Sequence, residues 1–326
     1  MALPLDELIL PCNWPELEDP QVIWNTYKAE LEDRGYHLMA AAHPFRPKEG
    51  ENFVHHWRLN PCNLYSQRKW SSWQPSVKIC FGIDRYQRQV VFKAVPNDDI
   101  ELKVLGLLCS DPLRADTRNR TIPVLEFVET RHDFVIVVMP SWGFSWYCPG
   151  CGSMATRIEL ALKLVETLQF LHENKIAHGD IHSGNILINH VDNRHFSAPK
   201  EADFRLGSDV EYAYIDFGSS HVLEPGISCG HPITLPPEGA ASPEQELLFD
   251  DKNATIDVFA ADIYNLGKVL EKELRQAFKD YGENHMPEPL EYNKILSDMT
   301  SEQPSDRPSA SEVVQMLRNL SGCTVE

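Results

Sequence analysis

The chain has 326 residues, 42% of them hydrophobic and 24% charged, a balance typical of a folded, water-soluble protein. Its formal net charge of -18 argues against nucleic acid or an anionic membrane as a partner, because both favour clustered lysine and arginine. The length allows two domains or one large bilobal unit.

Neither the N-terminal residues nor the apolar windows of the sequence suggest secretion or membrane insertion. The N-terminal residues Met1–Leu8 contain acids and a proline where a signal peptide needs a basic region and an apolar run. No window approaches the roughly 20 apolar residues of a membrane helix. The eight cysteines are scattered, which is typical of reduced thiols, so we expect a cytoplasmic or nuclear protein. Cys148-Pro149-Gly150-Cys151 lacks a second pair that would complete a zinc site, and we interpret it as a loop.

The first part of the chain is predicted to be rich in strands. Residues 1–75 are interpreted as an N-terminal extension that packs on, or leads into, the next segment, with one helix around Trp24–Arg34 that stops at Gly35. Two β-rich runs about a short polar turn then predict a hairpin. The further predicted elements are a helix at Ile100–Leu108 and strands at Ile122–Val128 and Phe134–Met139; the hairpin strands are Val77–Asp84 and Gln89–Val95.

Beyond Met139-Pro140 the apolar pattern becomes helical. Apolar residues recur at three- and four-residue steps over 158–171 and 263–274, and Ser309 with Glu312 forms a capping-box pattern at the start of a third helix. The stretches 189–212 and 247–255 are polar or acidic enough to be surface insertions. We therefore predict an α+β fold of two lobes, a β-rich N-lobe over 76–140 and a mainly α-helical C-lobe over 141–322.

Two short motifs place acidic and amide side chains at a spacing that suits phosphoryl transfer. His178-Gly179-Asp180-Ile181-His182-Ser183-Gly184-Asn185 is followed, after a loop, by Asp216-Phe217-Gly218. The order and the five-residue step from Asp180 to Asn185 resemble the catalytic and metal-binding loops of the protein kinase superfamily. The resemblance implies that Asp180 orients or accepts the substrate hydroxyl, while Asn185 and Asp216 hold Mg²⁺.

The same resemblance implies a site for ATP between the two lobes. Lys93, in Val91-Phe92-Lys93-Ala94-Val95, resembles the strand lysine that contacts the α- and β-phosphates. Its partner is expected to be Glu101, although the step between them is short for the family and predicts a truncated helix. Met139 and Ser141, at the crossover between the lobes, are the other expected nucleotide contacts. The implied cofactors are ATP and Mg²⁺.

Three later motifs also resemble the protein kinases. Ser242-Pro243-Glu244 resembles the end of an activation segment, and Asp306-Arg307-Pro308 the late motif whose arginine pairs with that glutamate. Ala261–Gly267 resembles the helix whose buried aspartate ties down the catalytic-loop backbone. These motifs imply a partly buried Glu244–Arg307 ion pair and backbone amides bound by Asp262. The hydroxyl side chains of the intervening segment include Ser219, Ser220, Ser228 and Thr234.

The sequence departs from the family pattern in three ways. Nothing before Lys93 reads Gly-x-Gly-x-x-Gly, and only Gly82 falls in the hairpin, so weaker nucleotide binding or a different cover is expected, with Tyr65–Gln74 as one candidate. Gly179 stands where most protein kinases have arginine, so a phosphorylated activation segment cannot act through that residue. His182 replaces a lysine and cannot supply the same permanent charge.

A looser resemblance extends over most of the chain. Asp33-Arg34-Gly35-Tyr36, the Arg118–Pro123 step and the long insertion before Asp216 are similar to a fungal group of protein-kinase-like proteins. The leading hypothesis is a kinase acting on Ser/Thr hydroxyls of an unidentified protein substrate, with no prediction of oligomeric state. A pseudokinase that serves as a binding module and a small-molecule phosphotransferase are the alternatives. The latter is favoured by His-Gly-Asp-x-His and opposed by the two late motifs.

Overall fold

The structure is a computed structural model. The residues that it describes are 21–38, 78–86, 88–143, 151, 153–189, 210–224, 226–227, 229–230, 241–247, 254–281 and 290–323. The candidate cover Tyr65–Gln74 and most of the two predicted insertions lie outside these residues.

The first part of the described chain consists of α1 (Gln21–Asp33), β1 (His37–Leu38), β2 (Ile79–Ile83), β3 (Gln89–Pro96), α2 (Ile100–Leu108), β4 (Glu126–Glu129) and β5 (Phe134–Pro140). The strands form a five-stranded antiparallel sheet in the order β1-β2-β3-β5-β4. The predicted hairpin and both predicted helices are confirmed, whereas the edge strand β1 has no counterpart in the sequence prediction.

The two-residue period of β3 determines which way Lys93 points. Val90, Phe92 and Ala94 are buried in a cluster with the apolar residues of α1, on one face of the sheet. Val91 and Lys93 therefore face the other side, where they line a cavity. Strand β5 alternates in the same way, and all of its residues are buried because both faces of the sheet are covered.

Gly82 has a packing role in this sheet. A Cβ at this position would lie 2.4 Å from the carbonyl oxygen of His37 in β1 and 2.7 Å from the ring of Phe92. Glycine is therefore required for the edge strand and the ring to approach β2. The one glycine of the predicted hairpin thus has a role in packing the sheet.

The strand predicted at Ile122–Val128 is wrong in its first half. Strand β4 begins only at Glu126, since Pro123 has no N–H for the ladder. The N–H of Ile122 instead donates to the carbonyl of Tyr214, 3.0 Å away, and the side chain of Ile122 is buried. This bond joins the sheet to the helical part of the chain.

The rest of the described chain is mainly helical. Its elements are α3 (Met154–Glu173), β6 (Ile176–Ala177), β7 (Ile186–Ile188), β8 (Tyr212–Tyr214), β9 (His221–Val222), β10 (Cys229–Gly230), α4 (Pro243–Glu246), β11 (Ile256–Asp257), α5 (Val258–Tyr281), α6 (Leu290–Met299) and α7 (Ala310–Cys323). Helix α3 is largely buried and packs against α7 and α5. Helix α5 also packs against α6, which has no counterpart in the sequence prediction. The predicted capping box is present, because Ser309 and Glu312 exchange hydrogen bonds of 2.7 and 3.3 Å.

The ends of the insertion predicted at 189–212 belong to the core. Asn189 and Tyr212 are buried, and Asn189 exchanges two 3.0 Å hydrogen bonds with Glu211 at the end of the β7–β8 pair. The described chain is a mixed α+β structure, as predicted. None of its described helices combines the length and apolar character that a membrane span needs.

Helix α1 packs on one face of the sheet, so a substitution in α1 can measure how much this contact stabilises the fold. Trp24 is 3% exposed and its ring lies 6.4 Å from that of Phe92. We expect Trp24→Ala to lower the free energy of unfolding by about 3–5 kcal/mol, because it leaves a cavity. Lys28→Ala, on the solvent side of the same helix, is the control. Equal urea midpoints for the two variants would contradict this packing.

Candidate active site

The loop between β6 and β7, residues 178–185, is called the Asp180 loop. Asp262 of α5 is fully buried and accepts hydrogen bonds from the backbone N–H of His178 (2.8 Å) and of Gly179 (2.9 Å). Nε2 of His172 lies 3.1 Å from the same carboxylate. Since a buried carboxylate is costly unless hydrogen-bonded, these contacts hold the loop on α5. The predicted role of Asp262 is confirmed.

The predicted Glu244–Arg307 ion pair is also present. The two side chains form two parallel bonds of 2.5 and 2.8 Å, and both are largely buried. The same guanidinium donates to the carbonyl oxygens of Ala260 and Ser301. This bidentate pair ties α4 to the start of α5 and to the turn before α7.

His178 is a neutral imidazole whose two nitrogens have different partners. Its Nε2 lies 3.0 Å from the carbonyl oxygen of Ile215 and therefore carries the proton, while Nδ1 accepts the N–H of Asp180 at 3.3 Å. Burial lowers the pKa of His178, against the opposing influence of Asp262 and Asp180. His178 thereby joins the Asp180 loop to the segment that carries Asp216.

Gly179 is required by the geometry of the loop. Its φ is +81°, and a Cβ would lie 2.2 Å from the carbonyl oxygen of Ser219. Neither arginine nor any other side chain fits this conformation. The departure from the family pattern at this position thus has a local steric cause.

Asp180 and Asn185 are joined within the loop. The Asn185 side-chain nitrogen donates to Oδ2 of Asp180 (3.0 Å) and to its carbonyl oxygen (2.9 Å). Nε2 of His182 lies 3.7 Å from Asp180 Oδ2. Among the described residues Asp180 Oδ1 has no hydrogen-bond partner although it is buried. Burial raises the pKa of Asp180, against the nearby imidazoles of His182 and His178.

Lys93, Glu101 and Asp216 form a cluster, of which the sequence predicted the Lys93–Glu101 pair. The ammonium of Lys93 lies 2.7 Å from Glu101 Oε1 and 2.9 Å from Asp216 Oδ1. Burial by itself lowers the pKa of Lys93, but the two carboxylates outweigh it and the pKa lies above its usual value. Burial alone would raise the pKa of Asp216, yet Lys93 holds it below the usual range. The lysine is therefore a permanent cation.

Local structure aims the members of this cluster at one point. Asp99 caps α2 by accepting the N–H of Glu101 at 2.8 Å, so Glu101 lies in the first turn, directly after β3. Asp216 has a left-handed backbone, with φ 65° and ψ 74°, which is uncommon for a residue other than glycine. Such strain is often found at functional sites.

The cluster lies at the wall of an apolar cavity of about 300 Å³. The sheet contributes one set of its apolar walls, and β7 with the segment after β8 contributes another. Both further predicted contacts, Met139 and Ser141, line it. The complete lining is Ile79, Phe81, Val91, Lys93, Glu101, Leu105, Ile122, Met139, Pro140, Ser141, Trp142, Leu187, Ile215 and Asp216.

Most of the apolar residues that line the cavity were not predicted from the sequence. The strand pattern of β2 shows that alternate residues share a face, but it does not say which face meets a cavity. Phe81 and Leu187 are examples, since they come from distant strands and meet only in the folded chain. His178 was quoted in a motif without a role of its own.

Asn185 and Asp216 are the side chains that could hold Mg²⁺. The carbonyl of Asn185 accepts the N–H of Ile215 at 3.0 Å, which places Asp216 beside the Asp180 loop. The described residues contain no cluster of three or more His, Cys, Asp or Glu side chains suited to a metal. Mg²⁺ often uses only one or two protein oxygens, with phosphates and water as the other ligands. The residues present fit a metal that arrives with a phosphate.

Comparison with known proteins adds no assignment: no protein-family model matches the chain, and no curated protein sequence is significantly similar to it.

The steric requirement at Gly179 can be tested by adding one methyl group. We expect Gly179→Ala to destabilise the fold by about 1–3 kcal/mol from backbone strain alone, with the clash in addition. Gly106→Ala is the matched control, because a Cβ in helix α2 meets no atom within 4 Å. Thermal unfolding of both variants is the measurement; equal melting temperatures would contradict the left-handed loop.

Burial of neutral His178 predicts a dependence of stability on pH. The unfolded imidazole, with a pKa of about 6.5, binds a proton more readily than the folded one, so stability falls as pH drops below about 6.5. The slope for one such group is at most ~1.4 kcal/mol per pH unit. We expect His178→Gln to show a shallower slope in urea unfolding between pH 7.5 and 5.5. An unchanged slope would mean that His178 does not resist protonation.

Proposed function

We propose that the chain is an ATP- and Mg²⁺-dependent enzyme that phosphorylates a Ser/Thr hydroxyl of a protein substrate, within a bilobal fold of the protein kinase type. The observation that carries the proposal is the convergence of Lys93, Glu101 and Asp216 at the wall of an apolar cavity. In protein kinases a strand lysine pairs with a helix glutamate, and an aspartate of the Asp-Phe-Gly segment binds Mg²⁺. Here Lys93 of β3 contacts Glu101 of α2, and Asp216 lies within 2.9 Å of the same ammonium, which supports the proposal.

The walls of the cavity suit a nucleotide. Apolar side chains such as Val91, Leu187 and Ile215 provide flat contact area for a purine ring. The charged cluster at the wall supplies a permanent cation for phosphate oxygens. Glu101, only 5% exposed, keeps Lys93 in place by a 2.7 Å contact. Base and phosphates would thus bind at different parts of the same cavity.

We assign the role of hydroxyl-orienting base to Asp180. Its Oδ2 is held by Asn185, and its Oδ1 is a buried acceptor that has no hydrogen-bond partner among the described residues. The acceptor oxygen forms its bond to the γ-phosphorus as the bond to the leaving ADP oxygen breaks, and Asp180 takes up the hydroxyl proton. Mg²⁺, held through Asn185 and Asp216, would neutralise charge on the phosphates. Positioning and charge therefore account for most of the rate enhancement.

A protein substrate is favoured over a small molecule by the region after Asp216. The Glu244–Arg307 pair anchors α4 beside the Asp180 loop, as expected for the end of an activation segment that presents a peptide. The His-Gly-Asp-x-His pattern alone favours a small hydroxyl compound. The ion pair carries more weight because its two motifs have no role in that alternative.

A binding module is the second candidate function. It is favoured by the lack of any Gly-x-Gly-x-x-Gly motif before Lys93, because such a loop lets backbone amides approach phosphates. A scaffold of this kind does not need Asp180, Asn185, Lys93 and Asp216 together. The proposal and this alternative differ in one measurable property, which is turnover.

The test uses labelled ATP, Mg²⁺ and generic protein acceptors. We expect transfer by the native chain and a loss of about 10²–10⁴-fold in Asp180→Asn, which removes the proton acceptor. Lys93→Met should abolish the rise in melting temperature that ATP produces. Lys103→Met, an exposed position on α2, is the matched control and should keep both properties.

Each other outcome selects a different function. ATP-dependent stabilisation without transfer that depends on Asp180 would identify a binding module. Transfer only to small hydroxyl compounds would identify a small-molecule phosphotransferase. Absence of both transfer and stabilisation would contradict phosphoryl chemistry altogether.

A further inference from the structure

The side chain of Gln245, in α4, contacts the Asp180 loop. This residue is 1% exposed. Its Oε1 accepts the backbone N–H of Ser242 (2.9 Å) and the side-chain N–H of Asn265 (3.1 Å). Its Nε2 donates to the carbonyl oxygen of Gly179 at 3.4 Å. All three contacts lie within the protein interior, so water does not compete for them.

Gly179 is consequently held on three sides. Asp262 accepts the N–H of Gly179, and the carbonyl oxygen of Ser219 leaves no room for a Cβ. The side chain of Gln245 donates to the carbonyl oxygen of Gly179. The carbonyl of Gly179 belongs to the peptide that joins it to Asp180. The direction of this peptide sets where the Asp180 backbone lies, and thereby where the carboxylate points.

The anchor of Gln245 is itself rigid. Ser242 caps α4 and exchanges bonds with Gln245 in a capping box. The next residue before Gln245 is Glu244, which forms the buried bidentate pair with Arg307. The loop is therefore connected through α4 to the turn before α7.

We propose that Gln245 is a positioning residue that orients the Gly179–Asp180 peptide and thereby the Asp180 carboxylate. The inference rests on the proposed function for its activity readout. It goes further by assigning a role in the site to a residue outside the predicted motifs. Gln245 does not touch substrate, and it acts through Gly179.

Gln245→Glu is the most selective variant. The carboxylate still accepts from Ser242 and Asn265, but an ionised oxygen replaces the donor to Gly179. Gln245→Met removes the donor without adding charge. Glu246→Ala is the matched control, because this neighbouring side chain of α4 is exposed and its removal leaves the Gly179 contact in place.

We expect both Gln245 variants to lower kcat by up to about 10²-fold with the KM for ATP little changed, since misplacing a reacting group costs rate more than binding. Glu246→Ala should keep its kcat. Unchanged kcat in both Gln245 variants would overturn the inference.

Hydrogen exchange separates this inference from the proposed function. Amides of residues 178–185 should exchange faster in Gln245→Glu than in the native chain or in Glu246→Ala, whether or not the protein turns over ATP. Faster exchange without any transfer would contradict only the proposed function. Unchanged exchange would overturn the role of Gln245.

Discussion

The candidate site depends first on the buried carboxylate of Asp262. A charged group with no solvent contact is stable only when hydrogen bonds surround it, and its donors are the backbone of His178 and Gly179 together with the ring of His172. Helix α5 therefore determines the path of the Asp180 loop. Removal of the carboxylate would leave two buried N–H groups without a partner, which is why the loop has one shape.

The second constraint is the sheet, whose two faces contact different parts of the protein. One face packs on α1 and stabilises the sheet, while the other carries Lys93 to the cavity. Helix α2 follows β3 after a short turn capped by Asp99, which brings Glu101 within 2.7 Å of Lys93. The short step between these residues is accommodated because Glu101 sits in the first turn of the helix. Sheet and helical part then meet at Ile122, Tyr214 and the cavity itself.

Local patterns predicted much of this structure. Hairpin, helices and capping box follow from apolar period and turn chemistry, which act over a few residues. The strand at residue 122 was misplaced because Ile122 bonds to Tyr214, a partner 92 positions later in the chain. Helix α6 and edge strand β1 escaped prediction. No role was predicted from the sequence for Gly82, whose place is decided by the approach of His37 and Phe92.

The sequence by itself singled out the ionisable residues of the candidate site, because their order and spacing are covalent properties of the chain. It also determined the α+β class through the change from strand-like to helical patterns. Only the tertiary structure decided that Lys93 contacts both Glu101 and Asp216, that Gly179 has no alternative, and that Gln245 supports the Asp180 loop. These facts depend on contacts between residues far apart in the chain, and no local pattern encodes such distances.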